Sequence, residues 1–457
     1  MPELTKILNS FVFWGAWIIV PILMEIVPAM GSFFLLLKRR RKGVNYPVPG
    51  FFPEIAIIIP VYNSAKTLKA CIDSLQNGTY PADRLRVFLV DNGSKDESFK
   101  IFARAQEENR DLKMQWFSSQ QGKSRAMNMA LYNSTCEYII NIDSDGILEK
   151  HALVNMISKF EARPDVNAMT GAILTRPDQI EAYKGFFKKL LRKLEFMEYA
   201  QAFLAGRSYA SETNSVYTLS GAFSAFRKSA ILQTWMYNTD TITEDTHLTF
   251  QLRYILKERI EICENAVFFV DPIESIDNLY AQRQRWQRGS LEVAHMFMNR
   301  DFRPSKVFSD VNIRTLLYDH TFAFPRMIWY LALICLLAMN YSVRAILFST
   351  VLIFGLYIVV GFLYYFTTIV FLKPMPELQR YYMRQWWCVF ILPFFNLMVF
   401  FIRMAGIINS VGSGGSWRTR TLTQEREAFA AAVKEMFAKP VGLIKKADRV
   451  INYEEEE

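Results

Sequence analysis

Between residues 55 and 178 the chain alternates two hydrophobic patterns. Short, β-branched, mostly apolar runs occur at IAIIIPV (55–61), RVFLVD (86–91), KMQWFS (113–118), YIINID (138–143) and VNAMTGAI (166–173), and each predicts a strand. Between them, 65–77, 95–109, 123–133 and 149–162 have the amphipathic spacing of helices. Strands and helices in alternation imply a mainly parallel sheet covered by helices, an α/β domain of Rossmann-like kind. Ligands of such sheets bind beyond the carboxyl ends of the strands. The polar stretches Tyr62–Asn63, DNGS (91–94) and DSD (143–145) all fall at those ends.

The pattern then changes. Along 178–203, Ile180, Tyr183, Phe187, Leu190, Leu194 and Met197 recur at helical spacing, with Lys188, Lys189, Arg192 and Lys193 interleaved. One amphipathic basic helix is predicted, lying either on lipid headgroups or in the core with a solvated charged face. Apolar runs at 11–37, 316–340 and 345–371 reach the ~20 residues that span a bilayer. The first is too long for the apolar part of a signal peptide, and KRRRK (38–42) after it marks the cytoplasmic side. Residues 386–408 contain Pro393 and Arg403 and are followed by a strongly basic tail. A bent, re-entrant or interfacial segment is expected there, because it leaves both Lys373, Arg380, Arg384 and the tail in the cytosol.

Composition sharpens this layout. The chain of 457 residues is 51% hydrophobic and only 21% charged, which implies soluble and membrane parts in one protein. A net charge of +9 suits anionic lipid or nucleotide partners. Nucleic acid is not favoured, because the basic residues cluster beside apolar segments instead of tiling one domain. The five cysteines have neither zinc-like nor redox-like spacing, which implies reduced thiols and a cytosolic catalytic part.

Several short stretches carry candidate chemistry. Asp143 and Asp145 end an apolar strand, where two carboxylates can hold a divalent cation with diphosphate oxygens; the plainer alternative is a cap for the helix at 149–162. Asp91 can accept hydrogen bonds from a base or ribose, or DNGS can be a simple Asx turn. Gly122, Lys123 and Arg125 open a helix and suit phosphate. Glu244–Asp245 in TITEDTHLTF can cap a helix or supply a carboxylate base. SGAFSAFRK (220–228), beginning Ser220–Gly221, is small and flexible enough for sugars to pass its backbone. QRQRW (282–286) reads as a solvated charge run unless its neighbours give it a partner.

Taken in order, IIIPVYN (57–63), VDNGS (90–94), GKSRAMN (122–128), DSD, TED (243–245) and QRQRW resemble the family 2 membrane glycosyltransferases that make hyaluronan, chitin, cellulose and poly-N-acetylglucosamine. The resemblance implies a GT-A fold joined to transmembrane and interfacial helices. Its expected division is a transmembrane helix at 11–37, a nucleotide-sugar half at 51–178 and an acceptor half at 179–300. Membrane or interfacial helices follow at 307–408, then a cytosolic tail at 409–457 with a gating loop at 412–422. It implies a processive, inverting enzyme that polymerises a β-linked polysaccharide from a UDP-sugar at the cytoplasmic face and translocates it. UDP-GlcNAc is favoured over UDP-glucose by the texture of QRQRWQRGSLE. Transfer of single sugars to a lipid carrier, or an inactive polysaccharide-binding or export subunit, are the alternatives.

Residue by residue, the resemblance assigns Asp91, Lys123, Asp143, Gln282 and Arg285 to the nucleotide-sugar, and Asp143 and Asp145 to Mg²⁺ or Mn²⁺. Asp245, beside Glu244, becomes the general base. Trp286, Ser220 and Gly221 face the acceptor, and Trp417 and Arg420 belong to the gating loop. Asn92 stands where many members have a second aspartate. Arg283 lies outside the signature and is expected in solvent or facing lipid. The partners implied are the donor, the growing polysaccharide, the lipid bilayer and either a second copy or an export subunit. The expected location is the plasma membrane of a bacterium.

Overall fold

Seven consecutive residues of β1 (Ile55–Val61) are buried, as expected of a strand covered on both faces. Its side chains alternate: Ile55, Ile57 and Ile59 enter one apolar cluster, Ala56 and Ile58 the other. β2 (Leu85–Asp91) pairs with it in parallel, and β3 (Lys113–Ser118) forms the edge with an alternating exposed pattern. The computed structural model describes residues 22, 26–41, 46–298, 332–339, 342–412 and 421–427. Within these, β4 (Tyr138–Ile142), β5 (Gly146–Leu148), β6 (Val166–Thr175), β7 (Phe223–Arg227) and β8 (Arg259–Val270) complete an eight-stranded sheet in the order β3-β2-β1-β4-β7-β6-β8-β5. The sheet is parallel from β3 to β4, antiparallel on both sides of β7, and parallel again between β6 and β8.

Helices α2 (Leu68–Gln76), α3 (Ser98–Glu108), α4 (Lys123–Asn133) and α5 (Ala152–Ala162) fill the connections where the hydrophobic period predicts them. α1 (Val27–Arg41) precedes β1 and carries its arginines on the helix itself. Arg39 reaches Glu212 at 2.6 Å and Glu264 at 2.9 Å, so part of the basic run ties α1 to the sheet.

Two segments depart from the sequence reading. Within residues 220–228, expected to be flexible, Phe223–Arg227 form β7, which is held between β4 and β6 and largely buried. β8 has no counterpart among the strands read from the pattern, and its Glu261 and Glu264 are both about 1% exposed. Lys159 and Arg163 meet Glu261 at 2.9 and 3.0 Å, cations that no local pattern supplies.

The single helix expected over 178–203 is broken. A short helix Pro177–Ala182 ends before Gly185, whose φ of 94° only glycine adopts easily. α6 (Phe186–Tyr199) starts there and continues through a wider turn into α7 (Arg207–Glu212). Its charged stripe is not simply solvated. Arg192 is buried, donating to the carbonyls of Lys188 and Glu274 at 2.6 Å each, while Lys189 and Lys193 both pair with Glu181 at 3.0 Å. Phe186 and Phe187, at its start, remain exposed.

α8 (Glu244–Phe250) and α9 (Ile276–Met298) lead to the apolar helices α10 (Val343–Phe371) and α12 (Cys388–Gly412), with α11 (Pro376–Arg384) between them. α10 and α12 are long and apolar enough to cross a bilayer. The segment shows no re-entrant break: α12 is one continuous helix. Pro393, the sixth residue of the helix, removes one intrahelical N–H bond without ending it. Phe348, Val351, Phe394 and Ile408 on the two helices are 60–70% exposed, as lipid-facing side chains would be. A shared cluster including Leu194, Met197, Tyr365, Tyr382 and Leu392 packs these helices against α6 and the outer face of β6 and β8. The run at 316–331, Glu25 and most of the first apolar segment, and the gating loop with Trp417 and Arg420 lie outside the described residues.

Candidate active site

The parallel register places Val61 opposite Asp91, and Asp91 opposite Ser118, so the ends of β1, β2 and β3 form one rim. At the rim DNGS does form an Asx turn: Asp91 Oδ1 accepts the Ser94 N–H at 2.9 Å, and Gly93 takes a φ of 82°. The turn fixes one carboxylate oxygen and leaves the group at the strand tip. Asn92 accepts from the N–H of Gly122, which joins the turn to the start of α4. An aspartate at 92 would present the same acceptor oxygen, so residue 92 holds the helix end in place without needing a charge. Asn63, at φ 51°, accepts from the Lys95 N–H at 2.8 Å and completes the rim.

One strand over, β4 delivers Asp143, and its neighbours come from three distant segments. Lys123 Nζ lies 2.6 Å from Asp143 Oδ1, 3.5 Å from Glu244 Oε1 and 3.4 Å from the carbonyl of Gly221. Burial works against the Lys123 charge, but Asp143, Glu244 and Asp245 outweigh it and hold the ammonium well above its usual range. Burial pushes Glu244 up, with Lys123 opposing and Asp245 adding to the shift. The acid pair opens α8 as expected, and the two acids have different surroundings. Glu244 is 6% exposed beneath Lys123. Asp245 is half-buried, accepting from the Gly221 N–H at 2.9 Å and the Thr246 N–H at 2.7 Å. A Cβ on Gly221 would stand 3.1 Å from Asp245 Oδ2 and 3.5 Å from Lys123 Nζ, so the glycine is the floor of this cleft. Ser220 is buried beside it, its N–H on Thr170 Oγ1 at 3.1 Å.

Asp145 stands exposed at the mouth. Burial of its carboxyl, then the Asp143 carboxylate, push it up to about 6, against Lys123, and water at the rim screens part of this. The reading of DSD as a helix cap does not hold: α5 begins after His151, whose N–H is taken by Glu149. Two neighbouring carboxylates at a strand end are a donor set that a hard divalent cation fits. Among the described residues no cluster of three or more His, Cys, Asp or Glu ligands exists, so other ligands would come from substrate or water.

QRQRW lies inside α9. Trp286 meets Phe203 edge-on at 5.8 Å and packs against the sheet's main core cluster. Arg283 is neither solvated nor lipid-facing. It is fully buried, 2.5 Å from Glu198, with its guanidinium 4.4 Å from the Trp286 ring centre and 5.4 Å from that of Tyr199. An arginine inside a helix core requires such a counter-charge, and α6 supplies it. The other side of α9 meets α12, where Arg403 donates to Gln287 at 3.3 Å and Asn409 to Gln284 at 3.5 Å.

Arg207 was not singled out by sequence, and nothing in its local pattern marks it. It donates to Thr170 Oγ1 at 3.3 Å and lies 4.6 Å over the Phe203 ring, next to the Trp286 contact. Burial lowers it to about 10, with Tyr217 and Asp245 acting the other way. Gly289 and Glu292 of α9 are likewise functional candidates only once the fold is known. An isolated glycine inside a helix was the available signal.

Residues 56–235 match the profile of glycosyl transferase family 2. A poly-β-1,6-N-acetyl-D-glucosamine synthase of Staphylococcus epidermidis is 25% identical over 307 residues, covering 65% of this chain and 69% of that one. The same synthase of Staphylococcus aureus strain COL is 26% identical over 287 residues, covering 62% and 66% respectively. Among solved structures, the mannosyltransferase PcManGT from Pyrobaculum calidifontis, in complex with GDP-Man and Mn²⁺, superposes with a TM-score of 0.57 at 19% identity. That match covers 87% of this chain and 99% of that one, and bears out the expected GT-A fold with an apolar helical region.

Proposed function

Because the chain carries a family 2 glycosyltransferase domain, we propose that it uses a UDP-sugar to extend a β-linked polysaccharide at the cytoplasmic face of a membrane. The observation that supports this most is the cluster of Lys123, Asp143, Gly221, Glu244 and Asp245, brought together from four segments. UDP-GlcNAc is the favoured donor, on the texture of α9 and the names of the staphylococcal relatives.

In this mechanism Asp245 takes the proton of the acceptor hydroxyl. It is the open member of the acid pair, oriented by two backbone N–H groups, whereas Glu244 is committed to Lys123. The hydroxyl oxygen attacks the anomeric carbon from the side opposite UDP, so an α-linked donor gives a β-linkage. Lys123 and Arg285 face the charge that develops on the departing diphosphate. Mg²⁺ or Mn²⁺ held by Asp143 and Asp145 would neutralise part of that charge when bound. Asp91 contacts the uridine, Gln282 the diphosphate, and Trp286 with Ser220 and Gly221 the acceptor sugar. α10 and α12 cross the bilayer, and the product leaves alongside them.

The test is UDP release by purified protein across a panel of UDP-sugars with Mg²⁺ or Mn²⁺. Turnover with one sugar is expected, and loss of it in Asp245→Asn with donor binding kept. An Asp245→Asn protein as fast as wild type would sink the mechanism. A polymeric product separates this reading from transfer of single sugars to a lipid.

A further inference from the structure

We infer that α9 is a splint that sets the distance between the Glu244–Asp245 pair and the Gln282–Arg285–Trp286 face, with Gly289 and Glu292 as its positioning residues. The inference rests on the proposed glycosyl transfer and adds to it two residues to which that reading gives no role. Gly289 sits in the interior of a 23-residue helix, where glycine is the least favourable residue after proline. Its reason is proximity. A Cβ there would lie 2.3 Å from Thr243 Cγ2, 2.5 Å from its Oγ1 and 2.9 Å from its Cβ, so no side chain fits.

Thr243 is the residue that precedes the acid pair at the start of α8. The hydroxyl of Thr243 is buried with no hydrogen-bond partner, so the contact works by shape. One turn further along α9, Glu292 Oε2 accepts the Ile242 N–H at 3.1 Å and the Thr241 hydroxyl at 3.4 Å. Three consecutive residues ahead of the acids are thus fixed to one helix.

The same helix face carries the signature. Trp286, Arg285 and Gln282 precede Gly289 by three, four and seven residues, which stacks them on one stripe. α9 cannot yield easily, because α12 supports its other side: a Cβ on Gly406 would stand 3.4 Å from Gln284 Cα. A displacement at Gly289 therefore moves the base relative to the diphosphate and acceptor groups, and a shift of about 1 Å can change turnover by ~100-fold.

The experiment compares full-length purified Gly289→Ala, Thr243→Ala and the double variant, with Glu292→Ala and Glu292→Gln, by UDP release, donor binding and unfolding midpoint. Gly289→Ala is expected to lower kcat per folded molecule by roughly tenfold or more, at unchanged donor KM. Thr243→Ala in the same chain removes the two nearest atoms, Cγ2 and Oγ1, leaves only the 2.9 Å approach of the Thr243 Cβ, and should restore much of it. Glu292→Ala should lower kcat as well, while Glu292→Gln, which keeps an acceptor oxygen for the Ile242 N–H, should not. Gly289→Ala with wild-type kcat overturns the inference. So does a loss that only follows the unfolded fraction, or one that Thr243→Ala leaves unrelieved. No UDP release by the wild-type protein on any sugar overturns the glycosyl-transfer reading instead, and the catalytic meaning of the splint with it.

Discussion

At the carboxyl ends of β1, β2 and β4, Asn63, Asp91 and Asp143 project from or just beyond backbone that the sheet has already fixed. Along α9, by contrast, Arg283, Gln284 and Gln287 find their partners on α6 and α12, far away in sequence. The first arrangement needs few partners because strand ends are open to solvent and ligand. The second buries polar groups between helices, where an unmatched one is expensive. Polar residues thus mean different things in the two regions: chemistry at the rim, and the fixing of helix positions beneath it. Lys123 belongs to the rim but is paired as tightly as Arg283, which makes the pair of cations a direct test of the difference.

The largest effect is expected at the rim. Lys123→Met leaves Asp143, Glu244 and Asp245 without their common cation, and turnover should fall by ~1000-fold, about 4 kcal/mol of barrier. Steady-state UDP release measures this, and retention of a tenth of wild-type activity would place Lys123 with the structural cations. Arg283→Met should instead act on stability, by roughly 3–5 kcal/mol, because Glu198 is left charged and buried. Adding Glu198→Leu should recover most of that loss in thermal unfolding. A double variant as unstable as the single one would mean that the pair holds no charge balance.

The smallest effect sharpens the helix side through pH. Glu195 is about 1% exposed, accepts the Ile273 N–H at 2.9 Å and adjoins Glu198, Arg283 and Arg192. Burial raises it from 4.5 to about 7, opposed by the Ile273 N–H and Arg283. Between those values the folded protein keeps a proton that the unfolded chain has released, so stability falls as pH rises through this window and stays lower above it. Glu195→Gln removes the titration. Its unfolding free energy should exceed that of wild type above pH 7, by at most ~3 kcal/mol, and match it near pH 4. An advantage that does not change with pH would assign the gain to packing.

The rim was the legible half for a physical reason. The apolar period of 55–178 and the polar residues that interrupt it are both local, so the parallel strands, the helices between them, the start of α4 at Lys123 and the acid pair at the head of α8 follow from short stretches. What local pattern could not show was decided by residues far apart. β8 carries two buried glutamates that read as surface until Lys159, Arg163 and Arg39 reach them. Arg283 had no sign of its partner in the pentapeptide that contains it. The sequence by itself therefore determined the α/β sheet, the apolar helices and the order of chemical motifs, because these depend on neighbours a few residues away. Only the tertiary structure decided which charges are buried, that β7 closes the sheet between β4 and β6, and that Gly289 presses on Thr243. Each of these depends on where the folded chain places segments tens of residues apart.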